Sequence, residues 1–496
     1  MKLPLPKSKI LRHALLFLLY GAVGLFGGLL LAVVLFLNNR PDLQVWHTAD
    51  LDEEFRARDD LETFEEYLAL EDRLFAQLQE EVCDQVDAAK YGQVNRYGAG
   101  SIANPSRWER DWNRTFVLKP EAGSPVAGVL LLHGMSDAPY SLRALGEAMH
   151  ARGAYVVGLR IPGHGTAPSG LVKTTWEDME AAVKLAMKHL AEQVGDRPLY
   201  LVGYSNGAAL AVEYALDSIE DDSLPQVTKG VLISPEIGVS PVAEFAWMQA
   251  SLGRLLGMDK LAWNSIQPEY DPYKYNSFAV NAGDQAYRIT RHIRERIHEM
   301  GKAGKLKNCP PLLAFQSAVD ATVSTPAVLQ GLFANLPANG SELVLFDLNR
   351  IAPVQELLKH DPKAELVALL KDQDLTYTLT AVTNVGPDSP QVLARSHAPD
   401  ETEPTERLLE AAWPQDVYSL SHIALPFAPD DPLYGDAPRQ PGERIVLGNL
   451  ALRGERGVLT VAPGDMLRLH WNPFYDYMAG EIFAFLDLPP AGDTRP

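Results

Sequence analysis

Residues 199–209 read Leu-Tyr-Leu-Val-Gly-Tyr-Ser-Asn-Gly-Ala-Ala, and they constrain the fold more than any other stretch of the chain. An apolar run of strand length ends in Gly-x-Ser-x-Gly and passes into small residues suited to a closely packed helix. Such a strand–turn–helix unit holds Ser205 on a strained turn. Gly203 and Gly207 leave room for the neighbouring strand and helix to approach. The helix N-terminus behind Ser205 favours developing negative charge. Ser205 is therefore the candidate nucleophile.

The surrounding pattern fits a mostly parallel sheet with crossover helices, an α/β fold. Strands are expected at Thr115–Leu118, Gly128–Leu132, Tyr155–Leu159, Leu199–Gly203, Gly230–Ser234, Leu312–Phe315 and Leu343–Phe346. Helices are expected near Trp176–Gln193 and Phe474–Leu486. Two insertions interrupt the alternation. Residues 235–308 look helical and aromatic, a lid that includes Trp247. Residues 349–413 are polar and Pro-rich with one strand-like run, Leu375–Val385, and 441–470 add further strand-like runs. Long insertions in a compact α/β domain tend to be lids or active-site loops.

A second apolar run ends in His133-Gly134-Met135. There the backbone N–H of Met135, with that of Asn206, is placed to receive an oxyanion, while His133 serves structure. A strand-and-loop sequence ends at Asp320, with Asp347 as its rival after the next strand. The chain order Ser, Asp, His leaves His360, His397, His422 and His470 for the base. His422 sits in a strand-like run, 417–425, with small polar neighbours; His470 just precedes the closing helix.

These elements resemble the α/β-hydrolase superfamily, in particular its monoacylglycerol lipase and serine aminopeptidase-like branch. The resemblance rests on His133-Gly134, Pro162-Gly163-His164-Gly165, Gly203-Tyr204-Ser205-Asn206-Gly207 and Asp320-Ala321-Thr322-Val323. Asn113-Arg114-Thr115 and Ser136-Asp137-Ala138-Pro139-Tyr140-Ser141 are similar to membrane-anchored hydrolases of proteobacteria. It covers 114–346 well and 347–486 loosely. It implies an α/β-hydrolase fold and a triad of Ser205, Asp320 and a histidine, with Asp320 orienting the imidazole. The family usually has its histidine soon after the strand at 343–346. This chain has Asp347-Leu348-Asn349-Arg350 there, and His422 is assigned instead, with His470 as the alternative. His164 is read as a brace of its own loop.

Ala14–Leu37 runs 24 residues without a charge, enough for a helix of about 36 Å that crosses a hydrocarbon core of about 30 Å; the alternative is a cleaved signal peptide, which needs a shorter apolar region and a small-x-small cleavage site. Lys2, Lys7, Lys9 and Arg12 in front of it place the N-terminus in the cytoplasm and the remainder outside, in a single-pass inner-membrane protein. The net charge is −20, from 44 Lys+Arg and 64 Asp+Glu. That acidity speaks against nucleic acid as a partner. Residues 42–90 alone hold 16 acidic and four basic residues, with apolar positions at helical spacing. They are expected to form one or two amphipathic helices, a solvated connector that lifts the enzyme off an anionic bilayer.

The expected organisation is a basic tail (1–12), an anchor (13–37), an acidic helical connector (42–113), a core first part (114–234), a lid (235–308) and a core second part (309–348). An insertion (349–413) and a C-terminal core with the histidine loop and closing helix (414–490) follow. Two cysteines, Cys83 and Cys309, exclude a disulfide scaffold; they pair only if close in space. No ligand spacing for a metal occurs, and no cofactor is expected. The expected activity is hydrolysis of lipid-like or medium-chain acyl esters through an acyl-enzyme. The alternatives are a serine aminopeptidase, for which Glu236 is the acid nearest the lid, and a catalytically silent fold used as a membrane-tethered binding module.

Overall fold

The computed structural model describes residues 9–120, 123–238, 258–354, 357–438, 444–448, 450, 464 and 467–492. Its centre is a ten-stranded sheet. The strands in chain order are β1 (Phe116–Leu118), β2 (Gly128–Leu132), β3 (Tyr155–Leu159), β4 (Leu199–Tyr204) and β5 (Lys229–Ile233). A small separate hairpin follows, β6 (Trp263–Ser265) with β7 (Phe278–Ala279). The sheet resumes with β8 (Leu312–Ser317), β9 (Glu342–Phe346), β10 (Thr378–Asn384), β11 (Gln391–His397) and β12 (Thr405–Ala412).

The spatial order is β1-β3-β2-β4-β5-β8-β9-β10-β11-β12. The run from β3 to β10 is parallel, while β1 and the β11–β12 hairpin are antiparallel at the two edges. The interior strands β2, β3, β4 and β8 are buried at every position, which is why they read as unbroken apolar runs. Helices cover both faces: α3 (Arg143–His150), α4 (Trp176–Val194), α5 (Asn206–Glu220), α6 (Val280–Lys302) and α8 (Tyr475–Phe485). Ahead of them lie α1 (Lys9–Asn38) and α2 (Phe64–Glu81); α7 (Lys363–Leu369) lies between β9 and β10.

The acidic segment departs from the solvated connector. A capping box starts α2: Glu66 N–H donates to the Thr63 hydroxyl, and the Glu66 carboxylate accepts from Thr63 N–H. Phe64, Tyr67 and Leu70 then enter the main core beside α4, and Leu74, Phe75 and Leu78 pack with Trp46 and Tyr97. Two of the acids are buried counter-ions. Glu54 and Glu71 grip Arg160, with N–O distances of 3.0 Å to each. The third nitrogen of Arg160, Nη1, donates to the His164 carbonyl at 3.1 Å, and Glu71 accepts from Thr115 N–H and hydroxyl. Helical spacing reported the helix; it could not report that the charged side had a buried partner some 90 residues away.

The insertion departs as well. Residues 378–412 supply three strands that extend the central sheet, where the sequence suggested one. Alternation is weak in β12, whose residues are mostly exposed at the sheet edge, so it read as polar loop. The run 417–425 is no strand: it forms turns and a short 3-10 helix at His422–Ala424. The strand-like runs within 441–470 fall largely outside the described residues, as does Trp247.

The helix α1 spans 30 residues, and its Phe17, Leu18, Leu25 and Phe26 face outward. It is long and apolar enough to cross a membrane, compatible with a single anchor. Just beyond it, Arg40 donates to the carbonyls of Lys260, Trp263 and Asn264 at 2.7–3.0 Å, tying the helix exit to the start of the β6–β7 hairpin.

Candidate active site

Ser205 stands between β4 and α5 with φ 54° and ψ −117°, the strained turn anticipated from its flanking residues. A left-handed φ on a non-glycine residue costs about 1–3 kcal/mol and persists only where the surroundings fix it. Here they do. Ser205 N–H donates to Ile233 at 2.9 Å, and the Ser205 carbonyl accepts from Glu236 N–H at 3.2 Å. A Cβ on Gly207 would lie 2.1 Å from the Leu132 carbonyl oxygen, and one on Gly203 2.5 Å from the Ala208 backbone, so both glycines are sterically required.

His422 and Asp320 meet Ser205. His422 Nε2 lies 2.9 Å from Ser205 Oγ, and Nδ1 lies 2.9 Å from Asp320 Oδ2. The tautomer follows from chemistry. An ionised carboxylate only accepts, so Nδ1 carries the proton and Nε2 accepts from the serine hydroxyl. Burial would push the Asp320 carboxyl up, but the hydrogen bond and charge of His422 and the N–H groups of Val323 and Thr322 outweigh it and hold it below its usual value. The 3-10 turn that carries His422 and the residues just after it are pinned from two strands and from the approach to α8: Ser317 Oγ donates to the Leu420 carbonyl at 3.1 Å, the Tyr204 hydroxyl to the His422 carbonyl at 3.4 Å, and Asn472 N–H to the Phe427 carbonyl at 2.8 Å.

The rivals lie elsewhere. Asp347 pairs with Arg350 and accepts from the Thr383 hydroxyl. His470 stacks on Tyr434 in the wall of a neighbouring cavity, and burial pushes its imidazole down to about 4. His397 holds two backbone carbonyls, and His360 faces Glu365 in solvent.

His133 is used up structurally, with Nδ1 donating to the Gly134 carbonyl and Nε2 accepting from Ile161 N–H. His164 donates from Nδ1 to Pro162 within its own loop. The N–H groups of Met135 and Asn206 have no protein acceptor among the described residues. Met135, Ser205 and His422 line one cavity of about 280 Å³ that is largely apolar, with Phe278, Ala286 and Ile423 in its walls. Glu236 also lines it. One carboxylate oxygen of Glu236 is buried without a partner among the described residues, and burial followed by the charge of Asp320 pushes the carboxyl up to about 7. A second cavity of about 320 Å³ adjoins, sharing Ser136, Tyr204, Lys274, Phe278, Ile423 and Arg468 with the first. Sequence reading did not single out Lys274 or Arg468; the turn after Asp271 and the approach to the closing helix carry no motif. Cys83 and Cys309 are unbonded.

A mostly parallel sheet bearing a strained serine at a strand–helix elbow, with a carboxylate and a histidine on later loops, defines the α/β-hydrolase class. The chain has this fold, and its residues 123–348 match the family model described as Serine aminopeptidase, S33. A thermostable monoacylglycerol lipase of Bacillus sp. (strain H-257) is 36% identical over 89 residues, 18% of this chain and 34% of that protein. The chain thus spans about a third of the length of the curated relative it matches. Among solved structures, a monoacylglycerol lipase of Paleococcus ferrophilus aligns with 47% of this chain and 88% of its own at 19% identity and a TM-score of 0.35. A soluble variant of the Saccharomyces cerevisiae monoglyceride lipase aligns with 47% and 81% at 12% identity and a TM-score of 0.36.

Proposed function

We propose that the protein is a serine hydrolase for carboxylic esters of lipid-like or medium-chain acyl groups, held at the membrane by residues 13–37. The observation that carries this is the hydrogen-bonded run Ser205–His422–Asp320 opening onto an apolar cavity. His422 Nε2 takes the Ser205 proton as Oγ attacks the acyl carbonyl. The oxyanion rests on the N–H groups of Met135 and Asn206 at the start of α5. His422 then protonates the leaving alcohol, and water repeats the sequence on the acyl-enzyme. Asp320 keeps Nδ1 protonated throughout. Apolar walls suit an acyl chain, in line with the monoacylglycerol lipase relative.

The test has two arms. A fluorophosphonate probe labels the wild type and not Ser205→Ala; absence of label on the wild type, or equal label on both, defeats the enzyme reading and favours a silent binding module. A series of p-nitrophenyl esters of rising chain length is cleaved faster than aminoacyl amides. The aminopeptidase reading draws on the buried carboxylate oxygen of Glu236 beside Ser205, unpaired among the described residues, as a place for a substrate ammonium. It gains if the amides win. The N-terminus lies in the cytoplasm and the enzyme outside; protease added to intact spheroplasts then removes the catalytic domain from the anchor.

A further inference from the structure

The two adjoining cavities differ in character, and two cations stand on the boundary between them. The cavity at Ser205 is mostly apolar, whereas the second is lined by Asp137, Asp271, Gln267 and Asn276 among others. Lys274 and Arg468 line both. Lys274 is held there by the turn at Asp271, whose carboxylate accepts from the N–H groups of Tyr273 and Lys274. Arg468 reaches the Thr322 hydroxyl at 3.5 Å, on the loop that carries Asp320. Lys274 forms a long ion pair with the buried Asp137, whereas Arg468 is less engaged. Asp137 stands 3.8 Å from Lys274, and among the described residues no carboxylate lies within ion-pair range of Arg468.

Three acids face the same space, and burial raises each of them. Burial pushes Asp137 up to about 6 and Glu236 up to about 7. Asp271 is raised by burial as well, and it is engaged by the Tyr434 hydroxyl at 2.6 Å as well as by its own turn. The neighbouring His470 lies in reach of both cations: burial first, then Arg468 and Lys274, hold its imidazole down.

We infer that Lys274 and Arg468 form a subsite for an anionic group carried by the alcohol part of the ester, a phosphate being the best match. This rests on the hydrolase reading above. The acyl chain takes the apolar cavity, so the alcohol leaves toward the polar one, past both cations. A guanidinium presents paired donors to phosphate oxygens and an ammonium adds a point charge. The substrate class is thus an acylglycerol phosphate rather than a neutral acylglycerol.

The experiment uses the full chain in detergent micelles. It compares kcat/KM for 1-lauroylglycerol, 1-lauroylglycerol 3-phosphate and the lauroyl ester of glyceric acid. The phosphate ester is expected to lead the neutral one by about tenfold or more, the scale of one charge-assisted hydrogen bond. Arg468→Gln and Lys274→Gln each reduce that lead about tenfold, and Arg468→Lys restores part of it. Glycerol 3-phosphate competes with p-nitrophenyl butyrate on the wild type and loses this effect in Arg468→Gln. Equal rates on neutral and phosphate esters, or a lead untouched by both substitutions, overturn the subsite. A preference for the glycerate overturns phosphate as its ligand. If p-nitrophenyl butyrate is cleaved in a Ser205-dependent way while the lead is absent, the subsite alone fails; if nothing is cleaved or labelled, both readings fail.

Discussion

Two buried polar networks in the molecule are built alike. Ser205, His422 and Asp320 come together from positions 217 and 102 residues apart; Arg160, Glu54 and Glu71 from 106 and 89. Both are nearly closed to solvent. They differ in what is left over. In the Arg160 cluster three guanidinium nitrogens have acceptors and each carboxylate is held by further donors. In the serine network the chain of hydrogen bonds ends at an open cavity, beside two N–H groups that have no protein acceptor among the described residues. A satisfied network fixes one arrangement of the chain; an open-ended one holds capacity for a reacting group.

The sharpest way to break this comparison is to remove a member of each. Ser205→Ala or His422→Ala is expected to lower kcat on a p-nitrophenyl ester by on the order of 10⁶-fold while leaving the thermal unfolding transition in place. Asp320→Asn follows at about 10⁴-fold, because the amide no longer fixes the tautomer. The corresponding changes at the rivals, Asp347→Asn and His470→Ala, keep activity within a few-fold. If His470→Ala rather than His422→Ala silenced the enzyme, the assignment of the base would fall.

Arg160→Leu inverts the pattern. It strands two buried carboxylates and is expected to cost about 3–5 kcal/mol of stability, read by denaturant unfolding. Replacing Arg160, Glu54 and Glu71 together by apolar residues recovers most of that loss. Recovery of stability with activity intact would confirm that this network serves the fold alone.

The smallest effect is at Glu236, which belongs to neither network. Its carboxyl is raised from 4.5 to about 7, so the folded state holds a proton that the unfolded chain releases. Stability from this group is therefore present below about pH 4.5 and declines as pH rises toward 7. Glu236→Gln removes the decline, and its gain over wild type at pH 8 is on the order of 1–3 kcal/mol, vanishing near pH 4. An equal difference at both pH values would show that the carboxyl does not titrate in this range.

The parts of the molecule that sequence disclosed are those governed by local chemistry. β2, β3 and β4 are apolar because both faces are covered, and Gly203 and Gly207 mark where backbones touch, so the serine elbow could be read residue by residue. Asp320 and His422 were reachable through chain order, though His422 was read on a strand and sits on a 3-10 turn. What stayed hidden depends on distant partners. The acids of residues 42–90 looked like a solvated face because Arg160 is not their neighbour in sequence. The strand β12 carries polar residues because it forms the exposed edge of the sheet. Lys274 and Arg468 carry no pattern at all; only the folded walls bring them side by side.

The pinning of the His422 turn has a consequence for how such a chain can change. The turn takes its position from Ser317 on β8, from Tyr204 on β4 and from the approach to α8, not from the segment that precedes it. The intervening stretch between β9 and that turn is free to lengthen or shorten in descendants of this chain. Its entropic cost grows only with the logarithm of its length, about 0.6 kcal/mol per doubling. New strands such as β10–β12 can thus be added between the acid and the base without re-aiming either.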